Sequence, residues 1–106
     1  MLVPSKLIRE AFIVIYELEG SKRAISFLCN HYKIRKMKII LDGRKVRKGK
    51  ACYYQNVAYF TPKGLNRKVV LHEFFHHLVY CKKMDMTHRP EEQEADLFVK
   101  QFLKFR

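Results

Sequence analysis

Residues 72–76 read His-Glu-Phe-Phe-His, and their spacing carries the most legible chemistry in the chain. Positions four apart lie on one face of an α-helix, one turn above the other. Two imidazoles so placed can converge on one Zn²⁺ at about 2.0–2.1 Å. Glu73 projects roughly a quarter-turn away, so it does not compete as a ligand. It can instead accept a proton from a water activated at the metal.

Two histidines leave zinc short of protein ligands, since catalytic sites commonly use three plus a water. Downstream, Glu91, Glu92 and Glu94 open a second periodic segment. A helix there, folded antiparallel against the histidine helix, could bring Glu92 to the metal. Asp96, four residues on, shares its face and could orient His72 or His76. Glu91 and Glu94 fall on other faces and read as solvated acids favouring a helix N-terminus. Donors for a developing oxyanion are open among His77, His88, Tyr54, Tyr59 and Tyr80. Cys81 and His31 have no spacing that makes them ligands.

The elements that must hold these groups follow from periodicity. Leu7, Ile8, Ala11, Phe12, Ile15 and Leu18 predict an amphipathic helix over 5–18, ended by Gly20. Ser21 is placed to cap a shorter second helix, with Ala24, Ile25 and Leu28 on one face, fading near His31. Met37, Ile39 and Leu41 alternate with Lys38, Ile40 and Asp42 and predict a strand, followed by a turn at Asp42-Gly43. Residues 51–54 and 56–60 are aromatic and β-prone around a turn near Gln55-Asn56. Residues 61–64 read as a loop. A helix is expected from about Asn66 to Cys81, with Val69, Val70, Phe74, Leu78 and Tyr80 as its apolar positions. After a polar connection a last helix begins near 88 or 89 and carries Ala95, Leu97, Phe98, Phe102 and Phe105. The expected fold is a single α+β domain over 1–106, with two N-terminal helices, a small three-stranded sheet, the histidine helix and a C-terminal glutamate helix.

Composition narrows the class. The chain has 106 residues and 48% apolar content, which fits one small globular domain. Its three cysteines, Cys29, Cys52 and Cys81, are widely spaced and suit a reducing compartment better than a disulfide scaffold. They read as small buried hydrophobes. The apolar run at 11–16 is too short to span a bilayer and lies between Glu10 and Glu17, and there is no signal peptide, so the expectation is a cytoplasmic protein without a membrane partner. The net charge is +12, with only three Asn and three Gln, a balance like that of hyperthermophile proteins. Residues 33–50 hold nine Lys or Arg and one Asp, a stretch that could track phosphates. The rival to a hydrolase is therefore a basic, nucleic-acid-associated or other binding protein with a structural zinc. Arg44, Lys45, Arg47 and Lys48 would carry its affinity. No recognition helix or RNA-binding signature is evident, and a solvated strand–turn surface accounts for the charges.

His72-Glu73-x-x-His76 followed by Glu92-x-x-Ala95-Asp96 resembles the HExxH…ExxAD signature of gluzincin metallopeptidases. Integral-membrane proteases that process prenylated proteins and membrane stress substrates carry this form. Small soluble peptidases of mobile elements carry a similar version ending in Asn. With its shortness and element order, the chain looks most like archaeal minigluzincins, soluble minimal versions of those membrane catalytic domains. The resemblance implies a zincin-like fold and Zn²⁺ held by His72, His76 and Glu92, with Asp96 behind them. It also implies hydrolysis of a peptide or protein substrate, with Glu73 as general base and acid. An edge strand within 51–60 would pair with extended substrate. The resemblance further implies latency, with the segment 102–106 folded over the cleft or entering that of a neighbouring copy.

Overall fold

The computed structural model describes residues 3–46 and 49–105, with the side chains of His88 and Arg89 left aside. Helix α1 spans Lys6–Glu19, and Ser5 caps it by accepting from the Ile8 N–H. Gly20 takes φ +95° and lets the chain reverse at once into α2, Ser21–Tyr32. Gly20 therefore stands at the cap and Ser21 lies inside the first turn, a shift of one residue from the expected cap. A serine cap needs a non-helical residue between two helices, and the glycine fills that place.

Strand β1 (Lys38–Leu41) follows, then a 3₁₀ turn at Gly43–Lys45 capped by Asp42. Strands β2 (Ala51–Tyr54) and β3 (Val57–Phe60) form a hairpin. Its two-residue turn puts Gln55 at φ +41° and Asn56 at φ +72°, the left-handed pair that matches strand twist. The sheet order is β1-β3-β2, with β1 parallel and β2 antiparallel to β3. β2 is thus an edge strand. The Thr61 N–H donates to the Lys50 carbonyl at 3.0 Å, just beyond the Ala51↔Phe60 pair. Alternation along an antiparallel ladder then leaves the N–H and C=O groups of Ala51 and Tyr53 facing away from β3, along the open edge.

A second 3₁₀ turn at Pro62–Gly64 leads to α3, Arg67–Cys81, whose first turn is capped by the Asn66 side chain. The last helix, α4, is His88–Phe102. Helix α3 runs through the middle of the molecule. Val70, Leu71, Phe74, Phe75, Leu78 and Val79 are buried around most of its circumference. A helix apolar on nearly all sides must be enclosed by other elements. Here α4, α2 and the sheet enclose it. Aromatic rings connect the layers, from Phe12 to Phe102 at 5.2 Å, to Phe98 at 5.7 Å and on to Phe75 at 5.4 Å.

The fold is α+β, with four α-helices and a three-stranded mixed sheet among the described residues. Several apolar positions of the expected faces are nonetheless exposed, among them Leu7, Leu18, Leu41, Tyr80 and Leu97. A three-and-four spacing marks a stripe wider than the surface its neighbours cover. The C-terminal segment also departs from expectation. Phe102 is fully buried, and residues 103–105 run against α1 and do not line the metal cleft. Arg9 holds them there. Its guanidinium donates to the carbonyls of Gln101, Phe102 and Lys104 at 3.3, 3.1 and 2.6 Å and lies over the Phe105 ring. Carbonyls left without intrahelical partners at a helix C-terminus favour a cation there. Arg106 lies outside the described residues. No helix among the described residues is long and apolar enough to cross a membrane.

Candidate metal centre

His72 and His76 lie one turn apart on α3, on the side facing α4. Helix α4 runs antiparallel, so Glu92 meets both imidazoles. His72 Nε2 lies 3.3 Å from His76 Nε2 and 3.1 Å from Glu92 Oε2, and His76 Nε2 lies 2.9 Å from that same oxygen. This group of three has the spacing to hold a metal ion. Donors about 2.0–2.1 Å from a tetrahedral ion stand about 3.3 Å apart, so the triangle fits a zinc-sized ion. Its chemistry fits as well. Two imidazole lone pairs and a carboxylate aimed at one point repel each other unless a cation or a proton lies between them.

The other ring nitrogens explain how the lone pairs are aimed. His72 Nδ1 lies 3.1 Å from Asp96 Oδ1, and His76 Nδ1 meets Glu91 Oε2. A carboxylate accepting from Nδ1–H fixes the tautomer, turns Nε2 towards the metal and raises its basicity. Asp96 thus sits behind His72, one of the two partners the spacing allowed. Glu91 is not the solvated acid expected from its face. It is half-buried beside His76, because α4 crosses close enough for adjacent residues 91 and 92 to reach opposite sides of one ring. Two imidazoles that offer Nε2 to one ion need two acceptors at Nδ1, and Asp96 serves one, but periodicity does not single out Glu91 as the other. Glu94 is exposed.

Electrostatics follow from this crowding. Burial pushes the Glu73 carboxyl above the ordinary carboxylate range, partly offset by His76 and His72. Burial works against the charge on His76. The Glu91 hydrogen bond and the charges of Glu73, Glu92 and Glu91 outweigh it, so His76 is raised above its ordinary 6.5. Glu92 is lowered, because the attraction of His76 and His72 and their hydrogen bonds exceed its own burial cost. Glu73 is 6% exposed and borders the hollow that contains His72, Glu92 and Asp96. It is thus a buried carboxyl that opens onto the hollow beside the triad.

The expected oxyanion donors separate by position. Tyr54 and Tyr80 are exposed at one end of the cleft, in a hollow that His76 and Glu91 also line. Tyr59 lies on β3 and lines no part of the cleft, and the side chain of His88 is outside the described residues. His77 is removed from the reacting side altogether. It is fully buried, with Nε2 2.6 Å from the Arg35 carbonyl and Nδ1 2.7 Å from the Tyr53 hydroxyl. A carbonyl only accepts, so Nε2 carries the proton and the Tyr53 O–H donates to Nδ1. The same hydroxyl accepts from the Asn56 N–H at 2.8 Å, so this network ties the hairpin to α3. Burial lowers the His77 pKa, with a smaller contribution from the Arg35 charge and against the hydrogen bond to the Arg35 carbonyl.

The described Lys and Arg residues of the basic stretch are all exposed. Arg44 is committed to Asp42 at 3.0 and 3.2 Å, Lys45 is exposed, and Arg47 and Lys48 lie outside the described residues. Cys29 is buried, while Cys52 and Cys81 are only half-buried, and all three are free thiols. Comparison with family profiles, curated proteins and solved structures found no significant match.

Proposed function

We propose that this chain is a zinc-dependent metallopeptidase of gluzincin type, in a zincin-like fold. The observation that carries the reading is the convergence of His72, His76 and Glu92, each imidazole backed by a carboxylate, beside the buried Glu73 and an open strand edge. Zn²⁺ held by this set would polarise a scissile carbonyl and bring the pKa of a water towards about 7. Glu73 then accepts the water's proton and returns it to the departing amine nitrogen. Its raised pKa suits both halves of that transfer. The free N–H and C=O groups of Ala51 and Tyr53 align an extended peptide across the site. Glu91 and Asp96 keep the two imidazoles from turning. The tail at 103–105 leaves the cleft open, which favours an enzyme competent without removal of its C-terminal segment.

The test is zinc stoichiometry combined with cleavage of an unstructured protein. Wild type and Glu94→Ala should bind one zinc per chain, and Glu92→Ala should lose it. Glu73→Gln should keep the ion and lose about 10²–10⁴-fold in cleavage rate. A wild-type chain without zinc in metal-replete buffer would sink the reading. So would a Glu73→Gln chain as active as wild type.

A further inference from the structure

The cleft between β2 and the helices differs from end to end. At the Ala51 end a hollow of about 470 Å³ is bordered by Lys50, Lys68, Val69 and Val99 and, on its metal side, by Glu73, Glu92 and Asp96. At the Tyr54 end a hollow of about 710 Å³ is bordered by Tyr53, Tyr54, Val79, Tyr80 and Met84, with Lys83 and Asp85 at its rim. A narrower hollow of about 300 Å³ joins them past Cys52, Glu73, His76 and Glu91. The metal triad therefore sits between an end that presents two exposed lysines and an aromatic end.

The charges at each end do not cancel in the same way. Lys83, Asp85 and Glu91 border the aromatic hollow, one basic group against two acidic ones. At the other end Asp96 and Glu92 are turned onto the histidines and Glu73 is buried, while Lys50 and Lys68 are exposed and form no ion pair among the described residues. The net charge of +12 adds a field that draws anionic ligands to the molecule. The aromatic hollow has firm walls. Tyr53 is held by His77, its ring meets Tyr80 edge-on at 6.1 Å, and Arg35 lies over Tyr80.

Direction follows from the strand. A peptide adding to the β2 edge pairs more stably antiparallel than parallel. Its N-terminal part then lies at the Tyr54 end and its C-terminal part at the Ala51 end. Resting on the peptidase reading, we propose that the cleft selects extended peptides with an aromatic or long aliphatic residue N-terminal to the metal triad and an acidic residue C-terminal to it. The two residues stand roughly three positions apart, the span of β2 at about 3.3 Å per residue. Lys50 and Lys68 are the specificity-determining groups at one end, and Tyr54, Tyr80 and Met84 at the other.

Binding tests this without depending on cleavage. Fluorescein-labelled octapeptides are titrated against the Glu73→Gln chain and followed by anisotropy, with and without added zinc. One carries Phe followed three residues later by Asp. The others reverse that order, replace Asp by Lys, or replace Phe by Ser. The first should bind at least tenfold more tightly than each of the rest. In a Lys50→Glu/Lys68→Glu background the preference should pass to the Lys peptide. Both lysines are exposed, so these changes leave the core intact. Affinities within threefold of one another would overturn the proposal, as would no binding by any peptide or a charge preference unmoved by the double substitution. Failure of the peptidase reading shows separately, as a wild-type, zinc-loaded chain that binds the preferred peptide and leaves it uncut.

Discussion

Glu91 and Asp96 decide how firmly the two histidines present their lone pairs. Glu91→Gln and Asp96→Asn should each weaken zinc affinity by about 10–100-fold, measured by competition with a chromophoric chelator. The two variants should separate with pH. Metal binding needs His76 unprotonated, so affinity falls as pH drops through the raised pKa of His76. Glu91→Gln removes the hydrogen bond that supports the protonated ring, so this fall should move to lower pH. Asp96→Asn, which touches His72, should leave the His76 step in place. In the metal-free chain the sign reverses. A raised histidine contributes stability that is full below 6.5 and lost as pH rises through its folded value. His72, His76, Glu92 and Asp96 were legible as types at a spacing. Glu91 was not, because periodicity assigns each residue one face and says nothing of how closely the neighbouring helix crosses.

At the scale of elements, the loop after β3 sets the cleft rim. Gly64 has no side chain because a Cβ there would lie 2.0 Å from the Lys50 carbonyl oxygen and 2.7 Å from its carbon. That carbonyl also accepts from the Thr61 N–H and hydroxyl at 3.0 and 3.2 Å. Gly64→Ala must therefore push backbone from backbone at the point where β2 begins. It should lower stability by about 2–3 kcal/mol, read as a lower urea midpoint at unchanged slope. Helix existence, the hairpin and its two-residue turn follow from residue patterns, as Asn56 in a left-handed position illustrates. The parallel pairing of β1 with β3 does not. Strand order joins segments distant in sequence, and no local pattern encodes that.

Across the whole molecule, Arg9 joins regions far apart in sequence. Its guanidinium also donates to the Pro4 carbonyl at 3.1 Å, so one side chain holds the entry to α1 and the exit of α4 together. Arg9→Ala should cost about 1.5–3 kcal/mol and speed amide exchange at residues 102–105. Arg9→Lys should recover only part of this, since an ammonium lacks the planar fork. That residues 103–105 lie against α1 and not over their own cleft has a reason of this scale. Phe102 and Phe105 read as apolar residues in need of cover, but their partners, Phe12 and Arg9, lie at the other end of the chain.

The bare edge of β2 has a cost as well as a use. An unpaired strand edge can receive a second copy of itself as readily as any other extended chain, which is how sheets begin to aggregate. This edge is short, only four residues. It lies recessed against two helices, with Glu73, Glu91 and Glu92 on the opposite wall. Every copy also carries the same large positive charge and repels the next. Polyanions or high salt would remove that last guard first, leaving the depth of the groove and the brevity of the strand to keep the molecules apart.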